Sequence, residues 1–561
     1  MPELNHGFNL ATVFQAVAEA LPDHEAIVWR DRRLSYADVM RRSTGLARYL
    51  VSRGLGVHRE RDGLGGHESG QDHVGLYLLN GNEYVEGMVA GSLARVAPFN
   101  VNYRYVEEEL LYLLRDAQTT GLIYHARFAP QVEKVRAQLP GLRVLVQVAD
   151  ASGNPLLEGA VDYDEALGTA EPEGGMPEPS GDDLFLLYTG GTTGMPKGVL
   201  WRQHDVYVSS MGGTPFGADK PFADYDELVA AARESAAGGG RAMLMLPPFM
   251  HAAATWSAYW TFTAGGRVVI PDVVDRLDAA SALEACQREA CNTFSVVGDA
   301  VARPIVEEIE RGDYDLSSVI AVNNGGAPLS PTIRDRVLAA MPAIFLLDGA
   351  GSSETGMQMT SVSAAGGPSE TGVFQPGPET TVLDDLRTRR LEPGEGGGWL
   401  ARTGHIPLGY LGDADKTART FPVVAGQRWS VPGDRAGLLD DGRIQLLGRD
   451  SITINSGGEK IFAEEVERAL AAHPAVTDVM VVGRPSERWG SEVVAIVSVA
   501  DGADPSDEEL IAEAARHIAR YKLPKAVVRV GMLQRSPSGK ADYRWAKDVA
   551  HAAAPAEPAI G

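Results

Sequence analysis

"YTGGTTGMPKGV", residues 188–199, decides how the rest of the chain is read. Three threonines and three glycines run up to Lys197. Such a stretch offers backbone N–H groups and hydroxyls to phosphate oxygens, with one ammonium beside them. It is not the usual nucleoside-triphosphate loop G-x-x-x-x-G-K-[ST]. Lys197 follows Pro196, and Gly198 stands where a Ser or Thr would meet the metal. The other Gly-Lys pair, Gly539-Lys540, has Gln534 in place of the first glycine.

Around this stretch, short apolar runs alternate with helical patterns. "HVGLYLL" precedes "NEYVEGMVAGSLARVA", and "TGLIYH" precedes "FAPQVEKVRAQL". The alternation predicts an α/β architecture with parallel-rich sheets. At 561 residues the chain is too long for one core. Breaks fall at residues 58–72, 171–183, 234–240 and 391–398, and the last 12 residues, from Ala550, read as frayed. From about Ser451 the pattern changes to helix, strand, turn, strand, then "DEELIAEAARHIARY" as helix and "KAVVRV" as a last strand. The expected division is a large N-terminal domain, 1–449, and a small mobile α+β domain, 450–561.

The formal charge, 51 minus 75, is −24, which argues against nucleic acid or anionic membrane as partner. Cys286 and Cys291 read as free thiols of a cytoplasmic protein. The N-terminus lacks the basic start and long apolar core of a signal peptide. Residues 242–266 contain no Asp, Glu, Lys or Arg, yet Pro247-Pro248 interrupts them, so a buried strand and helix are expected rather than a membrane span. "LGGHES", 64–69, echoes the carrier-domain sequence LGGHS but has an extra Glu68; a surface loop is the expectation.

Six further motifs follow the opening stretch in order: "LPPFMHAAATW" (246–256), "NNGGAPLS" (323–330), "LLDGAGSSETG" (346–356), "VPGD" (431–434), "LLGRDSITINSGGEKIFAEEVE" (446–467) and "RSPSGKADYRW" (535–545). The series resembles the adenylate-forming superfamily of acyl-CoA synthetases, luciferases and peptide-synthetase adenylation domains. In its "SSETG", "INSGGEK" and "GKADYRWAK" variants it resembles the actinobacterial fatty-acyl-CoA synthetases of the sterol side-chain type.

The resemblance implies ATP, Mg2+ and CoA as co-substrates and cofactor, and a small-molecule carboxylic acid as substrate. Thr189, Gly190, Gly191, Thr192, Thr193, Gly194 and Lys197 are expected at the β- and γ-phosphates, with Thr192 counted among the catalytic residues. Glu354 is the expected Mg2+ ligand, beside the Ser353 hydroxyl and backbone of Gly349, Gly351 and Ser352. Asp434 is expected to accept the ribose hydroxyls and Arg449 to reach ribose or phosphate. Lys540 is expected to enter from the small domain and bridge carboxylate and α-phosphate. Ala350 replaces the family's adenine-stacking tyrosine, leaving adenine to the backbone of Gly326, Ala327 and Pro328 with Asp348 as a contact. His251, Trp256 and Gly325 are expected to wall the acyl pocket, and Ser456, Gly457 and Gly458 to reach the site when CoA attacks.

No carboxylate lies between Arg241 and Arg267, where amino-acid-activating relatives place one for the substrate ammonium. An amino acid would bury an unpaired charge there, so a plain acid is expected. A bulky polycyclic or branched acid (steroid side-chain or terpenoid) or a medium- or long-chain fatty acid suits the aromatic- and alanine-rich segment 242–266, with the insertion 212–240 over its mouth. Two rivals remain: a ligase that loads a carrier protein, and a non-catalytic acyl-nucleotide binder. A homodimer is compatible with every reading.

Overall fold

Buried apolar runs pair side by side into two large sheets. The computed structural model describes residues 7–189, 195–367, 372–456, 459–486, 490–535 and 541–553. One sheet runs, in spatial order, Gly409–Tyr410, Lys197–Arg202, Leu184–Thr189, Ala97–Asn100, His73–Tyr77, Thr119–His125, Val144–Val148 and Val161–Asp162. From Leu184–Thr189 outward its pairings are parallel, whereas the first three strands are antiparallel. All five residues of His73–Tyr77 are buried, as expected of a parallel strand covered on both faces.

The second sheet has a parallel block built from Glu25–Trp29, Arg267–Ile270, Ala242–Leu244, Thr293–Val296, Ala321–Gly325 and Phe345–Ser352. It continues through an antiparallel block that ends with Asp434–Leu438, Gly396–Arg402 and Thr380–Leu383. Helices Leu10–Ala20, Tyr36–Ser52, Asn82–Leu93 and Ala252–Thr263 contribute to the main core. Ser35 and Asp38 form a capping box that starts Tyr36–Ser52, which explains why that helix begins where it does.

Residues 242–266 form the expected short strand, Ala242–Leu244, and buried helix, Ala252–Thr263. Among the described residues no helix is long and apolar enough to cross a membrane. The insertion 212–240 holds a helix, Tyr225–Ala237, whose Tyr225, Leu228, Val229 and Ala232 join the main core beside helix Leu10–Ala20. The 58–72 loop is a packing device. A Cβ on Gly66 would meet the Leu408 carbonyl oxygen at 2.4 Å, and one on Gly70 would meet that of Arg59 at 2.0 Å. The His67 carbonyl accepts from Gly412 N at 2.8 Å. Gly66 of "LGGHES" and Gly70 just after it are thus explained by close backbone approach.

Strand Ile444–Arg449 ends at Arg449. Beyond the turn Asp450–Ile452 lies a three-stranded sheet, Val476–Ser486, Gly490–Val499 and Ala526–Arg529, with its own apolar clusters. Two sequence expectations fail here. The helix expected over 507–521 stops at Ala514. The supposedly frayed end begins inside a helix, Tyr543–Ala552, capped by Asp542. Ala550 is fully buried, and its carbonyl accepts from Arg484 at 3.0 Å.

Candidate functional site

The site lies where loops leave the carboxyl ends of the parallel strands, the usual ligand position in open α/β sheets. Antiparallel pairing sets Thr189 opposite Lys197. Gly190, Gly191, Thr192, Thr193 and Gly194 lie outside the described residues, as do Gly457, Gly458 and Lys540. Lys197 Nζ stands 4.0 Å from Asp413 Oδ2.

Asn100, at the end of its strand, binds two motifs at once. Its amide donates to the carbonyls of Tyr188, at 2.9 Å, and Met250, at 2.7 Å, and its oxygen accepts from Tyr188 N. Asn80 does the same for the Pro-Pro turn, donating to Pro247 O and accepting from Phe249 N. These amides fix the backbone from which helix Ala252–Thr263 starts, with His251 as its N-cap residue. Trp256 lies in the main core with Tyr259 and Phe262. Its indole N–H has no hydrogen-bond partner among the described residues.

Strands Ala321–Gly325 and Phe345–Ser352 pair in parallel, with Gly325 beside Gly349 and Asn324 beside Asp348. Asn324, nearly fully buried, donates to Asp348 Oδ1 at 2.8 Å and to Ala327 O at 3.1 Å. Its oxygen accepts from Gly298 N. Burial raises the Asp348 carboxyl to about 6, against the Asn324 hydrogen bond. Gly326 turns with φ +83°, and Pro328 closes the turn against Gly298. Ala350 pairs with Met359 and packs on the apolar cluster of the antiparallel block.

Ser352 and Gly356 close a hairpin, stabilised by Thr355 Oγ1 accepting from Ser352 N. Side chains from other elements hold this turn by its carbonyls. Trp201 Nε1 donates to Ser353 O at 2.9 Å, Ser430 Oγ to Glu354 O at 2.5 Å, and Arg402 Nη1 to Thr355 O at 2.8 Å and also to Met357 O. The Glu354 side chain is half-buried, and its Oε1 accepts from the Tyr410 hydroxyl at 2.9 Å. Across strands Asp434–Leu438 and Ile444–Arg449, Asp434 faces Arg449 at 3.3 Å. Asp434 first, then Glu354 and Glu464, raise the Arg449 pKa against burial.

Lys197 and Glu354 thus both meet the segment 410–413, and Arg449, paired with Asp434, lies near enough to Glu354 to feel its charge. Gly325, Gly326, Ala327, Pro328 and Asp348 line the neighbouring strand ends. Ser456 stands apart, on a hairpin whose Ile454 and Ile461 are buried in the C-terminal core. Arg535 and Ala541, which flank the Lys540 segment, are bridged to each other. Arg535 Nε donates to Asp478 at 2.8 Å, and the carbonyl of the adjacent Thr477 accepts from Arg303 of helix Gly298–Arg311 at 2.6 Å. The base of that segment thus faces the strand ends that carry Gly298 and Pro328.

The oxygen-rich set at Glu354 suits a hard divalent cation. With Oε1 held by Tyr410, Oε2 is left as a donor to a metal that also binds phosphate oxygens. Sequence reading missed Asn80, Asn100, Trp201, Arg402, Tyr410 and Ser430. Only the polar residue at the end of an apolar strand, Asn100, carried any local signal.

Residues 14–411 match the AMP-binding enzyme family, and residues 465–540 match the AMP-binding enzyme C-terminal domain. The chain is 54% identical over 551 residues, 98% of its length and 100% of the relative's, to the medium-chain acyl-CoA ligase Mig of Mycobacterium avium. It is 38% identical to the 3-oxocholest-4-en-26-oate--CoA ligase of Rhodococcus rhodochrous, over 96% of this chain and 95% of that one. Its fold is similar to ATP-bound MatB from Rhodopseudomonas palustris, with a TM-score of 0.77 at 21% identity over 96% of this chain and 99% of that one.

Proposed function

The chain belongs to the AMP-binding enzyme family, and from that premise we propose that it is an acyl-CoA ligase for hydrophobic carboxylic acids, medium-chain fatty acids first and steroid side-chain acids second. The observation that carries this reading is that Lys197 and Glu354 both meet the segment 410–413, while Arg449, paired with Asp434, feels the Glu354 charge. The order of acids follows the relatives: the one at 54% identity is named for medium-chain acids and the one at 38% for a steroid acid.

In the first half-reaction a carboxylate oxygen attacks the α-phosphorus of ATP, and the bond to pyrophosphate breaks with its electron pair on the leaving oxygen. Glu354 would hold the Mg2+ that accompanies ATP, which would supply charge neutralisation for that leaving group. Lys197 adds a fixed positive charge at the phosphates, and Asp434 accepts from the ribose hydroxyls. Lys540 stabilises the charge between carboxylate and α-phosphate. In the second half-reaction the thiol sulfur of CoA attacks the acyl carbon, its proton is lost to water, and AMP leaves. The C-terminal part, pivoting after Arg449, brings 456–458 to the site for this step.

The test is pyrophosphate release over a panel of acetate, hexanoate, decanoate, palmitate and a steroid side-chain acid, with CoA thioester measured alongside. Decanoate above acetate in kcat/KM is the expected result, at ~25 cal/mol per Å2 of buried apolar surface. Acetate as best substrate, or acyl-AMP with no CoA thioester, overturns the reading. Ala253→Trp should depress the steroid acid far more than hexanoate.

A further inference from the structure

Tyr410 is bound to its surroundings in a way that packing alone does not require. Its backbone N–H donates to Thr417 Oγ1 at 2.9 Å, the Lys416 ammonium lies 4.1 Å from its ring centroid, and Phe421 packs on it at 6.0 Å. The ring is thus held on several sides while its hydroxyl reaches 56 residues back along the chain to Glu354 Oε1. Three residues on, Asp413 caps helix Ala414–Thr420 by accepting from Lys416 N and stands 4.0 Å from Lys197 Nζ. One short segment therefore contacts a carboxylate and an ammonium of the same site.

We propose that Tyr410 is a positioning residue that fixes the rotation of the Glu354 carboxylate, so that Oε1 is taken by the phenol and Oε2 is presented to the nucleotide-bound divalent cation. The inference rests on the acyl-CoA ligase reading and adds a residue to it. A carboxylate on a free side chain rotates between mono- and bidentate contacts, and fixing it in advance removes that ordering from the binding step. The turn's carbonyls, pinned by Trp201, Ser430 and Arg402, leave the side chain as the remaining freedom at Glu354. A phenol is protonated at neutral pH, so its hydroxyl is the donor to the Glu354 carboxylate.

The experiment compares binding of α,β-methylene ATP to the full chain with Mg2+ and with EDTA, by calorimetry and without acid or turnover. Tyr410→Phe keeps ring, backbone bond and packing. It should lower the Mg2+-dependent gain in affinity about tenfold or more, the range of one lost hydrogen bond to a charged group, and leave affinity in EDTA unchanged. In a Glu354→Gln background the same substitution should have no further effect, because Tyr410 acts through that carboxylate. An unchanged Mg2+-dependent gain in Tyr410→Phe, or losses that add to those of Glu354→Gln, overturns the proposal. Failure of the ligase reading is seen separately, as absence of CoA thioester from the wild-type chain.

Discussion

The turn at Glu354 and the junction at Glu464 are both carboxylate sites, and they are held in opposite ways. Around Glu354, three side chains from three separate elements grip successive carbonyls, so the backbone geometry is fixed by directional bonds. Glu464 instead lies half-buried among charges. Asp434 and Arg449 come from the large domain and Arg468 from its own helix, Ala463–Ala471. It packs on Gly448, where a Cβ would approach its own Cβ to 3.2 Å. Arg468 in turn donates to Leu446 O at 2.8 Å. Charge pairing has little directional demand and is replaced readily by water, which suits a junction that the proposed two-step reaction requires to part. A carbonyl left without its donor is costly, which suits a turn that must not.

The sharpest test of this contrast is Lys540→Ala. It should slow acyl-AMP formation about a hundredfold or more, the loss expected for one preorganised charge, and leave thioester formation from pre-made acyl-AMP nearly unchanged. Equal losses in both steps would mean that the junction does not part. Next in size, Arg402→Met should cost about 3 kcal/mol of stability, because it leaves Glu379 and two carbonyls without their buried partner. Denaturant unfolding of the full chain reads this, and a change below ~1 kcal/mol would remove the fixed-turn half of the comparison.

Smaller effects belong to the junction. Burial, then Asp434, raises the Glu464 pKa, so ionisation favours release of the small domain. Glu464→Gln cannot ionise, and should slow thioester formation about threefold while sparing adenylation. Rapid-quench measurement of the two steps decides it; a selective loss of adenylation would reverse the sign. Smallest is Glu467→Gln. Burial, then Glu464, pushes Glu467 to about 8, so the folded state keeps a proton that the unfolded state loses near 4.5. Its contribution is fully present below pH 4.5 and declines as pH rises to about 8. Wild-type Tm should therefore fall more steeply between pH 5 and 8 than that of the variant, as followed by scanning fluorimetry.

The parts of this molecule legible in sequence are those whose cause is local. Pro247-Pro248 ends a strand because proline cannot continue it, and the uncharged helix after it is buried as its composition demands. The hairpin that sets Thr189 against Lys197 follows from two apolar runs around a Gly- and Thr-rich stretch. Tyr410 was invisible because its partner lies 56 residues away in another sheet. Trp201 read as one more strand aromatic, yet its indole N–H spans 152 residues to Ser353 O. Helix Tyr543–Ala552 was missed, and its end taken as frayed, because its alanines look like a tail, although Ala546 and Ala550 face an apolar layer.

The two-residue strand Gly409–Tyr410 has a consequence for synthesis. It covers Lys197–Arg202, which is otherwise the outer strand of its sheet, and it arrives about 200 residues later in the chain. A nascent chain at residue 300 therefore carries an open row of backbone donors and acceptors along a strand as apolar as "GVLW", a template for pairing with another nascent chain. The acidic loop at 58–72 already stands beside that strand, and only Gly412 completes its bond to His67. Closure of the site and protection of the sheet edge are thus the same event, and a ribosome stalled before residue 409 leaves both undone.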